Sequence, residues 1–176
     1  MIEPRTIALR SGGTGTIRPA EPRDAEAWIE HVNAIGAEKV FIMTEKFTRT
    51  PEEIRTQFRD NDPWFALWLV ADVGATVVGG ASFRRGVASK NAHSADLGVS
   101  VRKEFRGLGL GEAMMRTGME WARSVGVTRL RLGVFATNAT AIALYRKLGF
   151  VEEGRLRGEV ILHGGPVDEV LMALRL

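Results

Sequence analysis

The sequence of 176 residues contains no cysteine, a single tyrosine and three histidines. The absence of cysteine excludes disulfides, thiolate metal ligands and a cysteine nucleophile together. With three scattered histidines in addition, a bound metal is not expected. No apolar run approaches the ~20 residues of a membrane span, and the first residues offer no apolar stretch long enough for a signal peptide. These absences favour a cytoplasmic protein that does not engage a membrane.

Neither sign of charge dominates, because 24 Lys and Arg residues face 21 Asp and Glu residues, for a net charge of +3. The basic residues are spread along the chain and are not gathered on one element with aromatic residues between them, so nucleic acid is not an expected partner. A hydrophobic fraction of 45% is ordinary for a globular protein. The length predicts a single domain over residues 1–176, in which residues 1–15 form an N-terminal strand or hairpin extension.

Apolar periodicity predicts an alternation of strands and helices. Two short strand-like runs flank the glycine-rich SGGTG, and a helix is expected from about Asp24 to Ala37. Thr50, Pro51 and Glu53 form a typical helix start with a capping box. Later in the chain, one strand–helix–strand unit stands among runs that are typical of antiparallel hairpins. The order predicts an α/β fold with a mixed sheet.

The segment EFRGLGLGEAMM, residues 104–115, begins a predicted helix with three glycines. Glycine inside a helix is less favourable than alanine by about 1 kcal/mol, so three of them require a reason. The first backbone N–H groups of a helix lack internal partners and lie at the positive end of its dipole. Glycines let an anion approach these groups, and Arg106 adds a fork that matches phosphate oxygens. The segment therefore predicts a phosphate site, and a pyrophosphate in particular.

Two common phosphate motifs do not match this segment. A P-loop needs a Lys-Ser or Lys-Thr pair after its last glycine, and none follows Gly111. The dinucleotide fingerprint fails at its last glycine, where Glu112 stands, and the next strand ends in GVFATN without an acid for a ribose. A tight strand-to-helix turn without a ligand is the alternative interpretation.

Residues 106–111, Arg-Gly-Leu-Gly-Leu-Gly, resemble the pyrophosphate motif of the GNAT superfamily of acyl-CoA-dependent N-acyltransferases. TIRPAEPRDA resembles the first strand and first helix of that family, and LGVSVRKEFRG resembles its fourth strand. NATAIALYRKLGF resembles its second CoA-side motif, in which a Tyr follows an Asn by seven residues. The stretches keep the family's order over Ile17 to Leu176. The resemblance implies a mixed, mostly antiparallel sheet flanked by helices, with splayed central strands and a pyrophosphate loop that opens a helix.

The resemblance implies acetyl-CoA as the cosubstrate and assigns residues to it. In this family the pantetheine arm inserts between two splayed strands and pairs with backbone. The residues implied are Leu97, Val99 and Val101 for the arm, Arg106, Gly107, Leu108, Gly109, Leu110 and Gly111 for the pyrophosphate, and Asn138 near the arm. The apolar strand residues are equally explained as sheet core, and the Asn as a helix N-cap.

The same resemblance makes Tyr145 the general acid that protonates the departing CoA thiolate, although an aromatic residue at helical spacing is more often part of a core. The position of the family's base falls on Asp96, whose shorter side chain favours a water relay. His93 has a suitable pKa range, but it faces the opposite side of a regular strand. A solvated strand end explains either residue as well, and His31 and His163 are expected at the surface.

The implied function is transfer of the acetyl group of acetyl-CoA to a primary amine of a small molecule, such as an amino acid, a polyamine or an antibiotic-like amine. Without a cysteine, and without a G-x-S-x-G elbow around a serine, direct attack in a ternary complex is expected. A peptide or ribosomal-protein Nα-acetyltransferase and a non-catalytic acyl-CoA-binding module are the alternatives. Walls of the acceptor site are expected from Phe41, Met43, Phe47 and Trp64, with Glu45 as a partner for an ammonium group. Exposed sheet edges in the last strands are compatible with a homodimer.

Overall fold

The computed structural model describes residues 2–176, which form one sheet of eight strands and four α-helices. The strands are β1 (Arg5–Ala8), β2 (Thr14–Pro19), β3 (Ala66–Val73), β4 (Thr76–Arg85), β5 (Ser94–Val101), β6 (Arg129–Phe135), β7 (Val151–Leu162) and β8 (Gly165–Arg175). The helices are α1 (Ala25–Ala37), α2 (Pro51–Arg59), α3 (Leu110–Ser124) and α4 (Ala139–Lys147). None of these four helices is long and apolar enough to cross a membrane.

The strands run in the order β1-β2-β3-β4-β5-β6-β8-β7. Only the β5–β6 pair is parallel within residues 2–176, so the sheet is mixed and mostly antiparallel. That pairing extends from Ser94 opposite Arg129 to Asp96 opposite Arg131 and stops there. Because β5 continues to Val101 and β6 to Phe135, the two strands diverge beyond this point. The expected α/β fold with splayed central strands is confirmed.

Helices cover both faces of the sheet, as alternate residues of β4 show. A Cβ placed on Gly79 would approach Met114 of α3. A Cβ placed on Gly80 would approach Trp28 and His31 of α1. Since successive residues of a strand point to opposite faces, α3 covers one face and α1 covers the other.

The helix boundaries follow from local chemistry. At the start of α2, the side chain of Thr50 accepts a hydrogen bond from the Glu53 N–H at 3.3 Å, and the Glu53 carboxylate accepts one from the Thr50 N–H at 2.7 Å. This is the predicted capping box. Gly118, in the middle of α3, has a packing reason, because a Cβ there would lie 1.9 Å from the ring of Phe83. Close contact between α3 and β4 therefore requires glycine at this position.

Candidate active site

A cavity of about 540 Å³ opens where β5 and β6 diverge. Its walls are formed by the diverging strands, the glycine loop before α3, the first part of α4 and the chain after α1. Ten of the sequence-derived site residues line it, and these are Leu97, Val99, Val101, Arg106, Gly107, Gly109, Leu110, Gly111, Asn138 and Tyr145. The remaining two, Leu108 and Asp96, do not belong to its lining in the described chain. Segments distant in sequence are thus brought to one place.

The glycine loop has the backbone geometry of an anion site. Gly107 and Gly109 adopt φ values of 76° and 99°, in the left-handed region that glycine tolerates best. Gly109 is the N-cap of α3, so the N–H groups of the next residues begin the helix without intrahelical acceptors. These donors border the cavity at residues 109–112 and lie at the positive end of the helix dipole. An anionic group at this end of the cavity would therefore be stabilised.

The Arg106 side chain is paired with the C-cap residue of α1. Its guanidinium forms a two-pronged ion pair with Glu38, one contact being 2.8 Å long, and its Nε donates to the Val101 carbonyl at 2.9 Å. The same group lies 4.5 Å above the ring of Phe41. The sequence predicts that the Arg106 guanidinium binds phosphate. In the structure, this group instead joins the chain after α1 to the glycine loop.

Arg10 is a second cation at the loop, and the sequence reasoning did not identify it. Its backbone N–H donates to the Leu108 carbonyl at 3.3 Å, and its side chain reaches the Gly107 carbonyl at 3.5 Å. Arg10 also lines the cavity, is largely exposed, and lies 3.8 Å from the carboxylate of Glu112, another lining residue. In the sequence, Arg10 is a basic residue next to SGGTG, far along the chain from residues 106–111. Its contact with them therefore could not be predicted.

Tyr145 and Asn138 both line the cavity from α4. Tyr145 is 6% exposed, and its ring centre lies 5.8 Å from that of Phe150. Burial raises the pKa of its phenol to about 12, so the group is protonated at neutral pH. The Asn138 side-chain oxygen accepts the Ala141 N–H at 3.1 Å, so this residue is also the N-cap of α4. The position of Tyr145 is compatible with a general acid and with a core residue. The position of Asn138 is compatible with a contact to the cosubstrate arm and with the N-cap of α4.

Asp96 and His93 lie away from the cavity. The Asp96 carboxylate is 54% exposed and accepts two hydrogen bonds from Arg131, at 2.6 and 3.1 Å. His93 is exposed before β5, and its carbonyl accepts the backbone N–H groups of Thr128 and Arg129. The two residues expected from the sequence as alternative bases thus lie at the closed end of the strand pair.

The expectation that His31 lies at the surface is wrong. It is 1% exposed on the inner side of α1, and its Nε2 lies 2.8 Å from the Ser100 hydroxyl of β5. Burial, followed by the charges of Arg102 and Arg106, lowers the pKa of His31 to about 4, so the ring is neutral at physiological pH. Trp28 and Ile35, three residues before and four after it, share its helical face and were the signal for its burial.

The expected acceptor walls occupy several places. Phe41 lines the main cavity, whereas Phe47 lines a second cavity of about 730 Å³ between α1, α2 and the β3–β4 hairpin. Met43 and Trp64 are exposed by 60% and 50%, and Glu45 lies 3.5 Å from Lys39. Within residues 2–176, no group of three or more His, Cys, Asp and Glu residues is arranged to hold a metal ion.

Known proteins resemble the chain over most of its length. The model of the acetyltransferase (GNAT) family matches residues 27–150. The L-amino acid N-acetyltransferase AaaT of Escherichia coli (strain K12) is 34% identical over 161 residues, which cover 89% of this chain and 95% of that protein.

Two solved structures extend this similarity to the fold. The acetyltransferase of the GNAT family from Streptococcus pneumoniae is 27% identical with a TM-score of 0.86, over 92% of this chain and 99% of that one. The ribosomal-protein-alanine N-acetyltransferase from Brucella melitensis is 30% identical with a TM-score of 0.79, over 91% of this chain and 99% of that one.

Proposed function

The chain belongs to the GNAT family of acetyltransferases, and we propose that it transfers the acetyl group of acetyl-CoA to the primary amine of a small molecule. The observation that carries this proposal is one cavity that joins the glycine loop, the opening between β5 and β6, and Tyr145. The 34% identity to an L-amino acid N-acetyltransferase supports a small-molecule acceptor. We also propose that the protein acts in the cytoplasm.

The residues of this cavity suit acetyl-CoA. The free N–H groups at the start of α3 would hold the pyrophosphate, with Arg10 as the nearby cation. Beyond Asp96, the edge of β5 that faces β6 has no strand partner in the described chain. Backbone groups of residues 97–101 on that edge would pair with the extended pantetheine arm. This role requires only main-chain atoms, so Leu97, Val99 and Val101 can also remain apolar packing residues.

In the proposed reaction, the amine nitrogen attacks the thioester carbonyl carbon directly. The new C–N bond forms as the C–S bond breaks, the nitrogen releases a proton to water, the sulfur takes one from the Tyr145 phenol, and water returns a proton to the phenolate. Tyr145 would supply the proton to sulfur, since burial keeps its phenol protonated. The same burial disfavours a thiolate left in the cavity, so protonation of the sulfur promotes its departure.

No carboxylate of the predicted base position reaches the cavity, because Arg131 holds Asp96 outside it. We therefore propose that the amine loses its proton to water and attacks as the neutral amine. His31 contributes no base in this scheme, because its pKa of about 4 makes it a weak proton acceptor.

Release of free CoA thiol from acetyl-CoA tests the proposal, with pooled amino acids, polyamines, aminoglycosides and N-terminal peptides as acceptors. Thiol release that requires an amine, and that falls by about 100-fold or more in Tyr145→Phe, would support it. Unchanged acetyl-CoA affinity in this variant, measured by calorimetry, separates chemistry from binding. Binding without turnover in every pool would favour a non-catalytic acyl-CoA-binding module, and absence of binding would contradict the cosubstrate site.

A peptide acceptor is the second candidate, favoured by the 30% identity to a ribosomal-protein-alanine N-acetyltransferase. It requires a groove that is open at both ends for the following residues of the peptide. Turnover with N-terminal peptides but not with free amino acids would select this candidate. A homodimer remains a prediction, for which sedimentation of the purified protein is the direct measurement.

A further inference from the structure

The second cavity combines an apolar wall with charged residues at its rim. Trp28, Phe47 and Trp68 contribute aromatic surface, and the rings of Trp28 and Trp68 meet edge to face at 5.8 Å. Arg84 of β4 lies at the rim and is exposed. An aromatic wall next to a cation is suited to a ligand that is apolar at one end and anionic at the other.

Arg84 is available for such a ligand because its strand neighbour is already engaged. Asp96 stands directly opposite Arg84 in the β4–β5 pair, but its carboxylate is held by Arg131 of β6. Arg84 therefore has no ion-pair partner among residues 2–176. The second cation at the rim, Arg49, is occupied by the Gln57 side chain and the Glu53 carbonyl.

The acidic residues at the same rim also have partners. Asp60 is paired with Arg59 at 2.9 Å, and Asp62 accepts the Trp64 N–H at 2.9 Å. They lie beyond the end of α2, whereas Arg84 lies on the strand that adjoins β5. An anionic group of a ligand would thus meet Arg84 on the side of the cavity nearest the reaction.

The two cavities adjoin the same residue pair of β4 and β5. Ser82 lines the second cavity, and its strand partner Gly98 lines the main one. A Cβ placed on Gly98 would lie 3.8 Å from the Ser82 hydroxyl oxygen, an ordinary contact distance, so glycine at this position leaves the space of one methyl group free between the two linings. Arg84 follows Ser82 on the same face at a distance of about 7 Å. An arginine side chain can span this distance. It can therefore reach a carboxylate that is one carbon away from an amine reacting at Gly98.

We propose that the second cavity binds the acceptor and that Arg84 holds its carboxylate, so that the acceptor is an α-amino acid with an apolar side chain. This inference rests on the proposed acetyl transfer. The amine would lie at Gly98, next to the acetyl group in the main cavity. The aromatic wall formed by Trp28 and Trp68 would contact the side chain of the amino acid.

Arg84→Gln tests the inference, with Arg84→Lys as the conservative variant and Arg123→Gln as a matched control on the exposed surface of α3. The probes are L-methionine, L-phenylalanine and the amide of each, which lacks the carboxylate charge. We expect kcat/KM for the free acids to fall by about 10- to 100-fold in Arg84→Gln, with KM carrying the effect. Values for the amides should stay close to those of the unmodified protein, and Arg84→Lys should recover part of the loss.

The ratio of acid to amide within each variant cancels general effects on folding or on acetyl-CoA. An unchanged ratio in Arg84→Gln would overturn the inference while leaving the proposed acetyl transfer intact. Thiol release with polyamines or aminoglycosides alone would do the same. If no amine of any class released thiol, the proposed function itself would fail. Quenching of Trp fluorescence by L-phenylalanine, lost in Arg84→Gln but kept in Arg123→Gln, reports binding without turnover.

Discussion

Gly111→Ala and Gly109→Ala test which glycines of the loop the proposed anion site requires. Gly111 is the second residue of α3, and its φ is not in the left-handed region. A Cβ there would meet Leu144 at 3.6 Å and Val101 at 3.9 Å, which are ordinary van der Waals contacts. Alanine at a compatible position stabilises by about 0.4–1 kcal/mol. For a domain of this size, that corresponds to a rise in Tm of about 1–4 °C.

The same methyl group should leave acetyl-CoA binding close to that of the unmodified protein. The motif that residues 106–111 resemble takes glycine or alanine at its last position, and the variant keeps the backbone N–H of residue 111. Gly109 is different, because the left-handed turn that it forms positions the N–H groups proposed to hold pyrophosphate. Hydrogen bonds to a charged group contribute about 1.5–3 kcal/mol each, so the loss of one in Gly109→Ala would raise Kd by about 10-fold or more.

Thermal unfolding and calorimetric titration with acetyl-CoA measure the two effects on one preparation. Gly109→Ala is the contrasting variant, because its φ of 99° forces alanine into a left-handed conformation that costs about 1–2 kcal/mol. Unchanged acetyl-CoA affinity in Gly109→Ala would refute the assignment of the phosphate to this loop. A lower Tm in Gly111→Ala would refute the view that its backbone and surroundings accept a side chain.

Three further predictions concern the core, the Asp96 carboxylate and the buried histidine. In Gly118→Ala the new methyl would overlap the Phe83 ring at 1.9 Å, so urea unfolding should show a loss of about 1–3 kcal/mol, and an unaffected midpoint would contradict the close contact of α3 with β4. Asp96→Asn should keep a kcat/KM close to that of the unmodified protein, with a pH profile that rises toward the pKa of the acceptor amine itself; a large loss would restore Asp96 as the base. Burial, followed by nearby arginine charges, lowers the pKa of His31 from 6.5 to about 4, so the unfolded chain takes up this proton first as the pH falls. The free energy of unfolding should therefore decrease by up to about 3 kcal/mol between these two pH values, and His31→Gln should lack that component.

Local signals in the sequence were sufficient for the elements that carry the site. The capping box of Thr50 and Glu53 forms within four residues. The turn before α3 requires a left-handed backbone at Gly107 and Gly109, which glycine adopts most readily. Such features depend on neighbours in the chain, so they can be predicted from sequence. The divergence of β5 and β6 is a property of the whole sheet, and it was predicted only through the family resemblance.

The partners of charged side chains could not be predicted in the same way. Arg106 pairs with Glu38, which is 68 positions away, and Asp96 pairs with Arg131, 35 positions away. Strand alternation indicates only the face on which a side chain lies. Which opposite charge reaches it depends on the neighbouring strand and helix. The phosphate role of the Arg106 fork and the base role of Asp96 were both expected without knowledge of these partners.

Arg106 and Asp96, which the sequence assigned to phosphate binding and to catalysis, therefore form ion pairs within the structure. By pairing with Asp96, Arg131 removes a carboxylate from the reaction and also leaves Arg84, the opposite residue on β4, without a partner. The ion pair of Arg106 with Glu38 ties the chain after α1, including the Phe41 wall, to the glycine loop. The proposed anion site then uses backbone donors of α3, with Arg10 nearby. The proposed acceptor site uses Arg84, which has no ion-pair partner in the described residues. In this proposal, the cosubstrate and the acceptor are recognised by separate groups on the two sides of Gly98.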